Sequence, residues 1–102
     1  MAYGAIHYSM IKTFRDKDTE RLFNREPVKR FREIERAARR KLEMVEAAEV
    51  LDNLRFPPGN RLEALRGATQ GHYSIRINDQ YRICFSFQEG HAEDAEIAKH
   101  YR

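Results

Sequence analysis

Gly71-His72-Tyr73-Ser74-Ile75-Arg76-Ile77 and, three residues later, Tyr81-Arg82-Ile83-Cys84-Phe85-Ser86-Phe87 decide how this chain folds. Tyr73, Ile75 and Ile77 alternate with His72, Ser74 and Arg76, and Tyr81, Ile83, Phe85 and Phe87 alternate with Arg82, Cys84 and Ser86. Alternation with a period of two marks half-buried strands. If both apolar sets face one core, the hairpin must pair Ile77 with Tyr81 and Ile75 with Ile83, because a slip of one residue turns every side chain to the wrong face. The connection is then Asn78-Asp79-Gln80. The same register sets Arg76 opposite Arg82 on the polar face, with Cβ atoms about 4.5–5.5 Å apart. Two like charges so close repel: either an anion settles between them, or they splay apart toward carboxylates elsewhere.

The remaining elements follow from shorter patterns. Met10 to Phe14, extended and β-branched, reads as a first strand, with residues 1–9 either an N-terminal extension or the run-up to an alternative start at Met10. Asp16 or Asp18 caps a short helix over Thr19 to Asn24. Pro27 opens a longer helix reaching about Ala48, in which Val28, Phe31, Ile34, Ala38, Leu42 and Val45 recur at intervals of three and four. Its other face carries Lys29, Arg30, Arg32, Arg36, Arg39, Arg40 and Lys41 among Glu33, Glu35 and Glu43. Such a face is ordinarily solvated and laced with ion pairs; the net-positive cluster from Arg36 to Lys41 also suits an acidic partner surface or an RNA backbone. Phe56-Pro57-Pro58-Gly59-Asn60 breaks the chain, Arg61 to Gly67 reads as a short strand or extended loop, and Ala92 to Ala98 as a closing strand. The expected architecture is α+β, a single domain over residues 1–102. One N-terminal strand and two helices pack on a mostly antiparallel sheet completed by the C-terminal strands.

Composition narrows the function classes. With 102 residues, 41% hydrophobic and 34% charged, the chain suits a small globule with one modest core. It has no apolar run long enough for a membrane span, so no membrane partner is expected. The lone Cys84 excludes an internal disulfide and fits a reducing cytoplasm; without a metal-spaced or catalytic partner it reads as a strand residue. No metal or small-molecule cofactor is expected. A net charge of +3 permits a nucleic-acid partner without requiring one.

Across these elements the sequence resembles the HigB toxins of the RelE/ParE superfamily. The resemblance rests on Met10-Ile11-Lys12-Thr13-Phe14 with Lys17 and Leu22-Phe23, on Pro57-Pro58-Gly59-Asn60-Arg61-Leu62 leading to Leu65-Arg66-Gly67, and on Tyr73 to Asn78 with Gln80 to Phe85. It implies a RelE-like fold and a toxin that enters the ribosomal A site and cleaves messenger RNA, held inactive by a HigA-like helix-turn-helix antitoxin. The implied cleavage is metal-free, the ribose 2′-hydroxyl attacking the adjacent phosphate. It assigns catalytic roles to Arg66, Arg76, Arg82, His100 and Tyr101 and RNA binding to Arg61, Glu63 and His72. The antitoxin is expected on Arg36, Arg39 and Arg40. Arginine fits charge stabilisation, since its planar fork grips phosphate oxygens and keeps its charge.

Three positions depart from the family pattern. Arg66 stands where relatives commonly have lysine and Glu63 where they often have histidine. Relatives often end the last strand in Asp-Tyr-His, whereas this chain has Lys99-His100-Tyr101. Arg66 can bind or stabilise charge but cannot act as a base. Two other function classes stand beside the nuclease: a ParE-like poison of DNA gyrase, and a catalytically inert module that binds an antitoxin or nucleic acid.

Overall fold

In the computed structural model, which describes residues 10–66 and 71–99, the quoted hairpin pairs as its alternation requires. Strands β2 (His72–Arg76) and β3 (Tyr81–Gln88) run antiparallel with Ile75 opposite Ile83 and Arg76 opposite Arg82. The connection is locked by its own first residue: Asn78 Oδ1 accepts from the backbone N–H groups of Gln80 (2.8 Å) and Tyr81 (2.9 Å), a side-chain mimic of a backbone turn. Two further strands complete the sheet: β1 (Glu63–Ala64) on the β2 edge and β4 (His91–Lys99) on the β3 edge. All three pairings are antiparallel. The β3–β4 turn uses positive φ at both Glu89 and Gly90, the backbone that matches the twist of a two-residue hairpin.

The odd-numbered face of this sheet is covered by helices. Helix α1 (Lys17–Phe23) is capped by Asp16, whose carboxylate accepts from the N–H of Thr19 (3.2 Å) and from its hydroxyl (2.6 Å). The same buried hydroxyl accepts from the N–H of Ile97 at 3.0 Å, so the cap also fastens α1 to β4. Asp18, the other expected cap, instead pairs with Arg30.

The second helix differs from expectation in its first half. Val28 is extended, Lys29–Ile34 is a 3-10 helix, and α2 begins only at Glu35 and ends at Ala47. Spacing explains the change: Val28, Phe31 and Ile34 are three apart, and a 3-10 helix with three residues per turn puts all of them on one line. The steps of four from Ile34 to Ala38 and Leu42 return the chain to α geometry. All six apolar positions are buried, and they meet Ile75, Ile83, Phe85 and Ile97 in one core. After α2 come two short 3-10 turns, Leu51–Arg55 and Pro58–Asn60.

The expected first strand is reduced to two isolated parallel bridges on the outer edge of β4, Ile11 with Ala92 and Phe14 with Ala95. A bulge in β4 is the cause. Pairing with β3 shifts register between Cys84 and Ser86, and Asp94 there adopts φ 58°. Between the two bridges the pairing is not continuous, although the Lys12 N–H donates to the Ala92 carbonyl (2.8 Å) and the Thr13 carbonyl accepts from the Ala95 N–H (3.1 Å). Thr13 fills the gap by accepting from the Asp94 N–H at 2.9 Å.

Candidate nucleic-acid interface

The even-numbered face gathers Glu63 from β1, His72, Ser74 and Arg76 from β2, and Arg82 and Cys84 from β3. Ser74 sits between Glu63 on one side and Cys84 on the other, and its burial lets Arg82 bury too. Arg82, 6% exposed, donates through Nε to Ser74 Oγ (2.8 Å) and through Nη2 to the carbonyl oxygens of Arg61 (2.7 Å) and Ser74 (3.4 Å). A buried guanidinium needs such oxygens, because leaving its donors unpaired costs more than the bonds return. Its nearest carboxylate is Glu63 at 3.8 Å, on a side chain open to solvent. The positive charge is thus fixed in place and weakly neutralised.

Arg76 is held differently. Its Nη2 contacts Asp79 on the exposed hairpin turn. The two arginines do splay apart, as one of the two sequence readings required. Arg82 leans to Ser74 and the Arg61 loop, Arg76 to its own turn. No anion is needed to keep them in register. An exposed ion pair contributes about 0–1 kcal/mol, so Arg76 can exchange Asp79 for another anion while Arg82 stays anchored.

Of the other expected site residues, Arg61 is exposed and left-handed, with φ 47°, and meets the site through its carbonyl. Arg66 is exposed at the end of the described stretch. His72 is half-buried opposite Ser86 and its Nδ1 is buried without a partner. His100 and Tyr101 lie outside the described residues. On the helix layer Arg36 and Arg40 are exposed, whereas Arg39 is committed internally. It donates to the Leu22 carbonyl (2.9 Å), the Glu26 carbonyl (3.3 Å) and Glu35 (3.0 Å). Those bonds tie α2 to the last turn of α1 at Leu22 and to the loop beyond it at Glu26. Burial, with help from Glu96, pushes the Cys84 thiol up, away from the reactive thiolate form.

Two contributors escaped the sequence reading. Ser74 is one more polar residue in an alternating strand until Arg82 folds onto it. Asn60, fully buried, donates its amide to the carbonyls of Leu54 (3.1 Å) and Phe56 (3.2 Å) and accepts from Lys41 Nζ at 2.6 Å. The break at Phe56-Pro57-Pro58-Gly59-Asn60 announced a turn, and nothing in it announced a buried amide.

A profile of the family described as the RelE-like toxin of the type II toxin-antitoxin system HigB matches residues 12–100. The chain belongs to that family. Among curated relatives, toxin HigB-1 of Vibrio cholerae serotype O1 is 42% identical over 95 residues, covering 89% of this chain and 98% of its own length. An uncharacterized protein of Haemophilus influenzae is 38% identical over 61 residues, 60% of each chain. This HigB-like protein is accordingly a toxin of a type II toxin-antitoxin system, whose counterpart is an antitoxin. The α+β sheet-and-helix architecture is the RelE-like fold expected for it, and no helix among the described residues is long and apolar enough to cross a membrane.

Proposed function

We propose that this toxin is a ribosome-dependent endoribonuclease that cuts messenger RNA in the ribosomal A site without a metal. The observation that carries the reading is the unequal pair on the sheet's polar face: an anchored Arg82 beside an Arg76 that a phosphate can claim. In the reaction the ribose 2′-oxygen bonds to the adjacent phosphorus, the bond to the 5′-oxygen breaks, the 2′-hydroxyl proton passes to a base, and the leaving oxygen takes up a proton. Arg82 and Arg76 face the oxygens on which negative charge grows, where fixed donors count most. Arg66 and Arg61 extend the positive face, and Glu63 and His72 flank it as RNA contacts. Proton transfer falls to His100 or Tyr101. The partner is a HigA-like antitoxin with a helix-turn-helix, bound through acidic residues to Arg36 and Arg40. A cytoplasmic location follows from ribosomes as the target.

Purified toxin added to ribosomes programmed with a defined messenger tests this. Shortened transcripts that need both toxin and ribosomes are expected. Intact transcripts together with altered plasmid supercoiling would instead support a gyrase poison, and no effect in either assay an inert binding module.

A further inference from the structure

We propose that Asn60 and Lys41 are positioning residues for the cleavage reaction: together they set the loop whose Arg61 carbonyl aims the Arg82 guanidinium at the phosphate. This rests on the nuclease reading, in which the aim of Arg82 sets the rate. It also gives a task to the Phe56-Pro57-Pro58-Gly59-Asn60 break, which the fold alone leaves as a turn.

Arg82 is fixed through two of its three nitrogens. Nε donates to Ser74 Oγ at 2.8 Å and Nη2 to the Arg61 carbonyl at 2.7 Å, while Nη1 has no partner among the described residues and is left for a ligand. A guanidinium is planar, so anchors on two nitrogens set the direction in which the third donates. The Ser74 anchor is placed by the sheet, since Ser74 is paired within the β2–β3 ladder. Arg61 precedes β1 (Glu63–Ala64) and stands outside any ladder, so its carbonyl has to be placed by its own loop.

Asn60, fully buried, builds that loop. Its N–H donates to the Pro57 carbonyl (2.9 Å) and its side-chain amide to the carbonyls of Leu54 (3.1 Å) and Phe56 (3.2 Å), which gathers the chain from Leu54 to Asn60 around one side chain. With the amide nitrogen committed, the oxygen has one direction, and there Lys41 Nζ meets it at 2.6 Å. An ammonium donor makes this bond about twice as strong as a neutral one, and it ties the loop to α2. The next peptide inherits the placement. Arg61 donates its N–H to the Pro58 carbonyl (3.1 Å) and holds φ 47°, a left-handed backbone that residues other than glycine keep where their surroundings impose it. That conformation delivers its carbonyl to Arg82 while its side chain stays exposed.

The test makes two measurements on the full chain, well below its melting temperature. Messenger cleavage on programmed ribosomes gives kcat and KM, and nitrogen-15 NMR follows the exchange of the Arg82 Nε–H with water. Lys41→Met keeps the packing but has no donor for Asn60. Its kcat should fall by up to about a hundredfold, the effect of a misplacement of about 1 Å, with KM unchanged because fixed donors act on the transition state. Exchange at Arg82 should quicken several-fold. Lys41→Arg, which keeps a donor, should restore both quantities. Asn60→Asp, which keeps a partner for Lys41 but cannot donate to either carbonyl, should show the same two losses. A clamp that serves the fold alone would lower the melting temperature and leave kcat and Arg82 exchange as they were, and that result overturns the proposal. So does a rise in KM alone, or an Asn60→Asp variant that cuts at full rate. If Arg82 exchange quickens but the unaltered chain cuts no messenger, the hold on Arg82 stands and the nuclease reading fails; if messenger is cut and neither quantity moves in Lys41→Met, the nuclease reading stands and the positioning role fails.

Discussion

Arg82 donates to the carbonyl oxygen of Arg61 at 2.7 Å, so the most buried charge on the polar face also clasps the loop that leads into β1. Removal of its side chain therefore acts on stability as well as on activity. Arg82→Ala leaves Ser74 Oγ and the Arg61 carbonyl without their donor. Ser74 is buried, and a buried acceptor so stranded costs about 1–3 kcal/mol. Urea unfolding should show a midpoint shift of that size. Arg82→Lys should recover only part of it, since an ammonium cannot span both acceptors with the geometry of a guanidinium. An Arg82→Ala variant as stable as the unaltered chain would mean that the clasp contributes nothing.

Arg76 should behave in the opposite way. Its partner Asp79 is exposed, so Arg76→Ala should alter stability by no more than about 0.5 kcal/mol, as for an ordinary surface site. Messenger cleavage should fall about ten- to a hundredfold, the loss of one charge-assisted phosphate contact. Asp79→Asn frees Arg76 and should tighten RNA binding by up to about fivefold, the upper worth of an exposed pair. RNA binding that weakens in Asp79→Asn would show that the carboxylate positions Arg76 for phosphate.

The two exposed arginines of α2 separate from the third in the same manner. Arg39→Ala should lower the melting temperature, because a half-buried guanidinium that ties α2 to the Leu22 and Glu26 carbonyls is lost. Antitoxin affinity should fall at least tenfold in the double variant Arg36→Glu, Arg40→Glu with no change in melting temperature. Titration of antitoxin against each variant by calorimetry checks both. An unchanged affinity in the double variant moves the interface elsewhere.

The hairpin was legible because period-two alternation and the identity of its connecting residues both constrain one register, and Arg76 opposite Arg82 followed from that register alone. What stayed hidden was the direction each arginine takes once paired. It depends on Ser74 and the Arg61 carbonyl, contacts brought together by the fold rather than by spacing. The split of the second helix was written in the steps of three at Val28, Phe31 and Ile34, which an α-helical pattern tolerates and therefore conceals. The reduced first strand could not be read from Met10 to Phe14, because its cause is a bulge at Asp94 on the strand it joins.

A pH dependence follows from Cys84. Burial, first, and Glu96 hold its thiol above the ordinary value, while Arg82 and Arg15 oppose them. As pH rises past the ordinary thiol value of about 8.5, the unfolded chain loses this proton before the folded chain does. The native state then binds more protons, so its stability falls with pH until the folded thiol ionises too. Unfolding at pH 7 and pH 9.5 should show a drop for the unaltered chain that is smaller in Cys84→Ala. Equal drops would place the pH dependence in other groups. Alkylation of the folded chain at pH 8 should also be slower than that of the unfolded chain.

Proton transfer is expected to depend on His100. Histidine is the side chain whose ordinary pKa, about 6.5, suits exchange at physiological pH, and the chain has four. His91 is turned to Glu93 at 3.3 Å on the β3–β4 turn, and His72 has its Nδ1 buried without a partner, which leaves only its other ring nitrogen to exchange protons. His7 precedes the stretch that matches the family, and His100 closes it. His100→Ala should slow cleavage on ribosomes by about 10²- to 10⁴-fold, the usual worth of general acid-base help, and should change the shape of the pH–rate profile. Tyr101→Phe tests the alternative that the neighbouring hydroxyl carries the proton, and His72→Ala the third choice. Full activity in a chain ended after Ala98 would exclude both terminal residues, leaving His72 or Glu63 to move the proton, or catalysis by the arginines' hold on the phosphate alone.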